Sequence, residues 1–220
     1  MSFSNTRVVV TGMGLVTSIG TGREAVWDSV CAGRSGAGPI TQFDPVDHTT
    51  KFACEVSDFD PVAYMDAKSA RRMDRFSQLA VAAGKIAVED AKLALDDNGN
   101  DRIGAMVGSG VGGLRTFEQQ VEILITRGPQ RVSPLFIPMM IPNMGVAQLS
   151  MALGLRGPVS CPVTACASGN HAIGDAMEVI RRGQADVMLA GGAEAAVTPI
   201  GIGSFNSMKA LSTRNDDPQT

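Results

Sequence analysis

The segment Val159-Ser160-Cys161-Pro162-Val163-Thr164-Ala165-Cys166-Ala167-Ser168-Gly169 decides how this chain reads. Val159 to Ala165 is an apolar run of strand length that stops at a cysteine. Small residues follow. A helical spacing then begins, with Ala172, Ile173, Ala176, Val179 and Ile180 on one face. The pattern predicts a thiol at a strand end and a helix N-terminus. In such a place the helix dipole and unpaired backbone N–H groups favour a thiolate. Ala167, Ser168 and Gly169 leave room for a substrate to approach. A free cysteine is ordinarily a buried, inert small hydrophobe. The setting of Cys166 instead presents a nucleophile suited to acyl transfer.

Strand and helix patterns alternate to either side. Arg7 to Gly12 reads as a buried strand, and Gly22 to Ala32 as a short helix closed by Gly33. Phe52 to Val56 reads as an edge strand. Asp66 to Leu95 is one long helical pattern, with Phe76, Leu79, Ala83, Ile86 and Ala87 on its apolar face. Asp97-Asn98-Gly99-Asn100 is a turn. Ile103 to Val107 is a second buried strand. Phe117 to Thr126 is a helix that Gly128 and Pro129 stop. A Pro-broken loop leads to a helix from Asn143, and a further strand covers Ala185 to Ala190. Apolar strands alternating with helices imply an α/β fold, a mostly parallel sheet covered by helices.

Composition narrows the function. A chain of 220 residues fits one domain. A net charge of −3 gives no general case for nucleic-acid binding. Cys31, Cys54, Cys161 and Cys166 have no framework spacing, and the last two lie too close along an extended strand for an easy disulfide. C-x-x-C and H-x-x-x-H pairs are absent, so no metal site is expected. Met1 to Arg7 lacks a signal-peptide core, and reduced thiols suit the cytoplasm. Val132 to Leu155 carries no charge and imitates a membrane span. Pro134, Pro138, Pro142, Asn143 and Gln148 interrupt it, which favours a buried loop and helix at a subunit interface.

Thr164-Ala165-Cys166-Ala167-Ser168-Gly169 closely resembles the nucleophile motif of β-ketoacyl-acyl carrier protein synthases. Val8-Val9-Val10-Thr11-Gly12-Met13-Gly14 resembles the opening strand of that family, and Gly108-Ser109-Gly110-Val111-Gly112-Gly113 its acyl-pocket loop. Ser133-Pro134 through Asn143-Met144 resembles its dimer-facing segment. Ala190-Gly191-Gly192-Ala193-Glu194 and Ala210-Leu211-Ser212-Thr213-Arg214-Asn215 follow in the family's order. The resemblance covers essentially the whole chain and is nearest to the synthase II subclass, the standalone elongating enzyme of type II fatty acid synthesis. It implies the half-repeat of a thiolase-like fold over residues 1–220 as an N-terminal synthase domain, a mostly parallel mixed sheet with helices on both faces. Two such halves stack in the family, so the chain reads as the N-terminal half, truncated, processed or split. The isolated half is expected to expose a large apolar face and to be marginally soluble.

The resemblance also implies roles. Cys166 is the nucleophile and its backbone N–H part of an oxyanion hole. Val111 limits acyl entry, although on residue pattern alone it is equally a core-packing side chain. Thr164 and Ala165 flank the nucleophile near a two-fold axis, and Phe136 and Ile137 reach a neighbouring subunit's acyl pocket. Lys68, Arg71 and Arg72, with Arg131 and Lys209, resemble the patch that docks an acidic acyl carrier protein, and Arg75 neighbours it. On residue pattern alone that cluster is equally a solvated helix face. No resident cofactor is implied, since phosphopantetheine arrives on the carrier. A homodimer, no nucleic acid and no membrane are implied. The family's two histidines and lysine, on A-H-G-T and K-x-x-x-G-H motifs, are missing here; the C-terminal half is expected to supply them.

The remaining signals read as structural. Gly12-Met13-Gly14 lacks the third glycine of a dinucleotide fingerprint and reads as a tight turn; no Gly-Lys-Ser/Thr follows Gly108-Ser109-Gly110. His171 lies a turn and a half beyond Cys166 on a helix, so it reads as a hydrogen-bonding histidine and not a general base. His48 reads as solvated, and Glu194 as a partnered buried carboxylate. Three rivals stand beside the synthase: a non-catalytic chain-length-factor-like partner, a thiolase-like acyltransferase on coenzyme A esters, and a carrier-binding module without chemistry. A polyketide ketosynthase would share every motif.

Overall fold

The computed structural model describes residues 6–96 and 100–219. Of the expected turn Asp97–Asn100, residues 97–99 lie outside the described residues, as do residues 1–5 of the Met1–Arg7 segment. In chain order the elements are β1 (Val16–Thr17), β2 (Gly20–Thr21), α1 (Arg23–Cys31), β3 (Gly38–Pro39) and β4 (Phe52–Ala53). They continue with α2 (Ala67–Ala70), α3 (Arg75–Asp90), β5 (Ile103–Gly108), α4 (Leu114–Arg127), α5 (Phe136–Met140) and α6 (Met144–Leu153). β6 (Val159–Ser160), α7 (Ser168–Arg181), β7 (Val187–Gly192) and α8 (Pro199–Ser207) complete the order. The chain packs as two compact units, one drawn from Met1–Gly14 and Pro61–Ala195, the other from Leu15–Asp60 and Ala196–Thr220.

The first unit is built on a parallel sheet of order β6-β5-β7. β5 is buried on both faces, which is why its sequence is nearly all apolar. Strand alternation divides its side chains. Ala105 and Val107 share a core with Val81 of α3, Val146 and Leu149 of α6, and Leu189 of β7. Met106 points the other way and packs with Ala172 and Ala176 of α7. Helices therefore cover both faces of a parallel sheet, as expected. Small residues let α3 and α6 lie close; a Cβ at Gly84 would overlap Leu149. Burial of Val146 and Leu149 makes α6 a core helix, and no helix among the described residues is long and apolar enough to cross a membrane.

Several local expectations need correction. The helix expected over Asp66–Leu95 is two helices. Asp66 caps α2 by accepting from the Lys68 and Ser69 N–H groups, and Asp74 caps α3 by accepting from the Phe76 N–H at 3.3 Å. Each aspartate satisfies first-turn donors and so restarts the helix. Arg7 to Gly12 forms no strand ladder among the described residues, and Val9 and Val10 are 63% and 74% exposed. Nor do Gly12 and Gly14 make a tight turn. They let the chain lie against α3, where a Cβ at Gly14 would overlap the Ala83 carbonyl, and the Met13 N–H donates to Asp90 Oδ2 at 2.9 Å. The strand expected over Val159–Ala165 pairs only at Val159 and Ser160. Pro162 has no N–H for a ladder, and the chain turns away. Ile173 is exposed, because α7 packs through Ala172 and Ala176.

The second unit carries two antiparallel ribbons, β1-β2 and β3-β4, with α1 and α8. The expected Phe52–Val56 strand is confined to Phe52–Ala53. Residues near the C-terminal end are tied to this ribbon. Buried Thr50 donates to Ser212 O at 2.7 Å, and Asn215 accepts from the Lys51 N–H at 2.9 Å and donates to Thr49 O at 3.0 Å. His48 is not solvated, as the sequence suggested; its Nε2 donates to Pro199 O at 3.1 Å and its ring lies beside Phe43.

Asp74 has a second role. Its Oδ2 accepts from the Thr116 N–H at 3.0 Å and the Thr116 hydroxyl at 2.6 Å, joining the start of α3 to the start of α4. Asp74→Ala would leave these buried donors without an acceptor. The expected destabilisation is about 2–4 kcal/mol, a lost cap plus lost charge-assisted bonds. It would appear as a lower urea midpoint at unchanged slope. A midpoint equal to that of the parent chain would contradict this account of the helix boundary.

Candidate active site

The thiol is presented by a sharp turn immediately before α7. Ala165 has φ +52°, in the left-handed region that costs a non-glycine residue roughly 1–2 kcal/mol. Ser168 holds it there. Its buried Oγ accepts from the Thr164 N–H at 2.9 Å and donates to Ala165 O at 2.6 Å. The Ala167 and Ser168 N–H groups close the same turn onto Thr164 O and Ala165 O, each at 3.1 Å. Cys166 sits at the outside of this turn and is exposed. His171 Nδ1 lies 3.2 Å from Thr164 Oγ1, so the imidazole is engaged with the turn and not with the thiol.

Close backbone approach places the turn on the sheet. Gly108 ends β5 and Gly192 ends β7. A Cβ at Gly108 would overlap the Ser168 carbonyl, and one at Gly192 would come within 2.9 Å of Gly169 Cα. With hydrogen in place of a side chain, the start of α7 rests on the carboxyl ends of two parallel strands. That edge is where open α/β sheets hold their ligands.

The loop after β5 leans on the same turn. A Cβ at Gly110 would lie 3.4 Å from Ala165 O, so Gly110 touches the peptide that precedes Cys166. Val111 follows and is 43% exposed. The loop is gathered by Glu194, whose carboxylate accepts from the Gly110 N–H at 2.7 Å, the Val111 N–H at 3.0 Å and the Ser109 hydroxyl at 3.2 Å. Glu194 is partnered, as expected, but exposed and not buried. The Gly113 N–H donates to Met140 O at 2.8 Å, which ties the loop to α5. α5 carries Phe136, whose ring lies 6.2 Å from that of Phe117, and exposed Ile137. The first unit thus brings Thr164, Ala165, Cys166 and Val111 together, with Phe136 and Ile137 joined to them through Met140.

The two cysteines of the motif differ. Burial pushes the Cys161 thiol up, the Glu194 charge pushes it further, and a hydrogen bond from the Ser109 backbone partly opposes them. Cys161 is half-buried beside the core. A cavity of about 380 Å³ in the second unit is lined by Phe52, Cys54, Ile202, Phe205 and Leu211, and none of the residues expected at the site lines it. Among the described residues no cluster of His, Cys, Asp and Glu could hold a metal ion.

The basic residues expected to dock a partner lie on different elements. Lys68, Arg71 and Arg72 are exposed on and just after α2. Asp66 lies among them, its carboxyl held below the usual range chiefly by the Ser69 hydroxyl. Arg131 lies beyond the C-terminus of α4, whose other end is the one joined to Asp74. Lys209 belongs to the second unit. Arg115, which the sequence reading passed over, comes beside Arg75 through the Asp74–Thr116 bond. Burial, and then the Arg115 charge, push the Arg75 guanidinium below its ordinary pKa. No sequence spacing signals this neighbour, because forty residues separate the two arginines.

Peptide mapping after stepwise iodoacetamide treatment is expected to find Cys161 modified after Cys166, because the raised thiol holds less thiolate at neutral pH. Glu194→Gln removes one of the charges that raise it and should shift Cys161 labelling to lower pH. Labelling of Cys161 ahead of Cys166 would contradict this assignment of the two thiols.

Residues 5–220 match the family model described as "Beta-ketoacyl synthase, N-terminal domain". The chain is 49% identical over 212 residues to "3-oxoacyl-[acyl-carrier-protein] synthase 2" of Synechocystis sp., an alignment covering 96% of this chain and 51% of that protein. Among solved structures, "The ishigamide ketosynthase/chain length factor" aligns with a TM-score of 0.86 at 34% identity, over 93% of this chain and 51% of the other. A type II polyketide acyl carrier protein in complex with its ketosynthase bound to the hexaketide aligns with a TM-score of 0.77 at 25% identity, over 93% and 55%. The chain spans about half the length of the curated relatives it matches. The exposed cysteine on the turn before α7, the glycine-rich loop beside it and the match along nearly the whole sequence lead to one conclusion: this chain belongs to the β-ketoacyl synthase family, as its N-terminal domain.

Proposed function

We propose that the chain is the nucleophile-bearing half of a 3-oxoacyl-[acyl-carrier-protein] synthase of the synthase II type. The observation that carries this reading is the exposed Cys166 on the Ser168-held turn. In the first half-reaction the Cys166 sulfur attacks the thioester carbonyl of an acyl carrier. The tetrahedral intermediate collapses, the carrier's phosphopantetheine thiolate leaves, and the acyl group stays on Cys166. The Cys166 backbone N–H is one donor to the oxyanion.

In the second half-reaction a malonyl carrier loses carbon dioxide. The resulting carbanion attacks the Cys166 thioester, a carbon–carbon bond forms, and the Cys166 thiolate departs. The product is a 3-oxoacyl carrier longer by two carbons. His48 and His171 are the two histidines of the sequence; the first is hydrogen-bonded to Pro199 O and the second to Thr164 Oγ1. The decarboxylation histidines implied by the resemblance would come from a C-terminal half. The chain alone is therefore expected to accept an acyl group without condensing it.

The likeness to the ishigamide pair lends some weight to a chain-length-factor role. Such partners replace the nucleophile, and this chain retains Cys166, so the catalytic reading stands ahead. Pairing of two copies through the exposed edge at Val159 and Ser160 belongs to the same proposal, as does a cytoplasmic setting. Lys68, Arg71, Arg72, Arg131 and Lys209 would receive the acidic carrier, supported by the exposure of each side chain.

Incubation with an acyl-carrier protein is expected to add one acyl mass to the chain, and Cys166→Ala to abolish the adduct. A mass that does not change would contradict the nucleophile assignment. Reversing Arg71 and Arg72 to Glu should weaken carrier binding by on the order of tenfold at low salt, with less effect at high salt. Equal affinity of parent and variant at low salt would remove these residues from the docking surface.

A further inference from the structure

We propose that Glu194 is a positioning residue that sets the acyl-length window at Cys166, by fixing the loop that carries Val111. The proposal rests on the reading of Val111 as the side chain that limits acyl entry. Two successive loop N–H groups converge on one carboxylate, and a third reaches it through the Ser109 hydroxyl. Those of Gly110 and Val111 donate to Glu194 Oε2 at 2.7 and 3.0 Å. That of Gly112 donates to Ser109 Oγ at 3.1 Å, and the Ser109 hydroxyl in turn donates to Glu194 Oε1. Successive backbone N–H groups curled around an anion form a nest, and here the anion is the chain's own side chain.

The loop needs such a clasp. Gly110, Gly112 and Gly113 give it no conformation of its own, and Gly112 has φ +76°. Glu194 follows β7 by two residues, and the Ala193 N–H donates to Gly108 O at 3.0 Å. The carboxylate is thus anchored to the two strands that support the nucleophile turn. On the other side, Gly110 rests against Ala165 O. Val111 and Cys166 are each one residue removed from that contact. Releasing the carboxylate would let Val111 move relative to the thiol without touching the turn itself. Both carboxylate oxygens already accept from donors, which leaves Glu194 poorly placed as a general base.

N-alkylmaleimides test this without any carrier protein, because the Cys166 sulfur adds directly to the maleimide double bond. The rates of Cys166 modification by methyl-, butyl- and octylmaleimide give an octyl-to-methyl ratio, read at the Cys166 peptide by mass. In the parent chain this ratio is expected to be low. Val111→Ala should raise it by on the order of threefold to tenfold, and Glu194→Gln should change it by a similar factor. In the double variant the effects should fall well short of additive, since both act through one loop. Ser109→Ala removes one leg of the clasp and should give a smaller change of the same sign, which keeps the test decisive if Glu194→Gln fails to fold.

A Glu194→Gln variant that slows all three reagents equally would overturn the proposal, as would a ratio equal to that of the parent. A shifted ratio in Glu194→Gln beside an unshifted one in Val111→Ala would overturn the length window and leave Glu194 holding the loop only. A shifted ratio in both, in a chain that takes no acyl group from a carrier, would support the proposal and sink the synthase reading separately.

Discussion

One hydroxyl carries much of the site. Ser168 is buried at the start of α7 and holds Ala165 in a left-handed conformation that an alanine does not choose. With it, Cys166 faces outward. The two Ser168 hydrogen bonds offset a strain of comparable size, and strained residues of this kind gather where a structure must aim a reactive group.

Around that turn, absence of side chains is as important as their presence. Gly108 and Gly192 end two parallel strands with bare backbone, and the start of α7 settles onto them. The sheet therefore ends in a surface made of peptide groups, over which the Val111 loop can lie. Glu194 then gives that loop a fixed shape. The rigid parts are β5, β7 and α7, packed through Met106, Ala172 and Ala176 on one face and Val107, Val81 and Leu149 on the other. The adjustable part is a glycine-rich loop clasped by one exposed carboxylate.

The alternation of strand and helix was legible in the sequence because β5 is a buried run, β7 an apolar one, and α3, α4 and α7 repeat their apolar positions. The helix that follows the cysteine was legible for the same reason, but the strand expected to lead into it ends at Ser160. Helix boundaries at Asp66 and Asp74 were not, since periodicity continues through a cap and only side-chain bonds to backbone N–H groups reveal the break. Val8–Val10 has the pattern of a buried strand, but a strand is defined by a ladder partner, and the described residues offer none. The clasp at Glu194 and the approach of Arg115 to Arg75 depend on bonds between residues forty to eighty-five positions apart. No local pattern encodes such pairings.

The central claim is that the Ser168-held turn presents Cys166 as a nucleophile. Its most direct test is the rate of Cys166 carbamidomethylation in Ser168→Ala against the parent chain, with exposed Cys54 as an internal reference and circular dichroism to check the fold. The account predicts a Cys166 rate lower by on the order of tenfold, with the Cys54 rate unchanged. Equal Cys166 rates in the two proteins would contradict it.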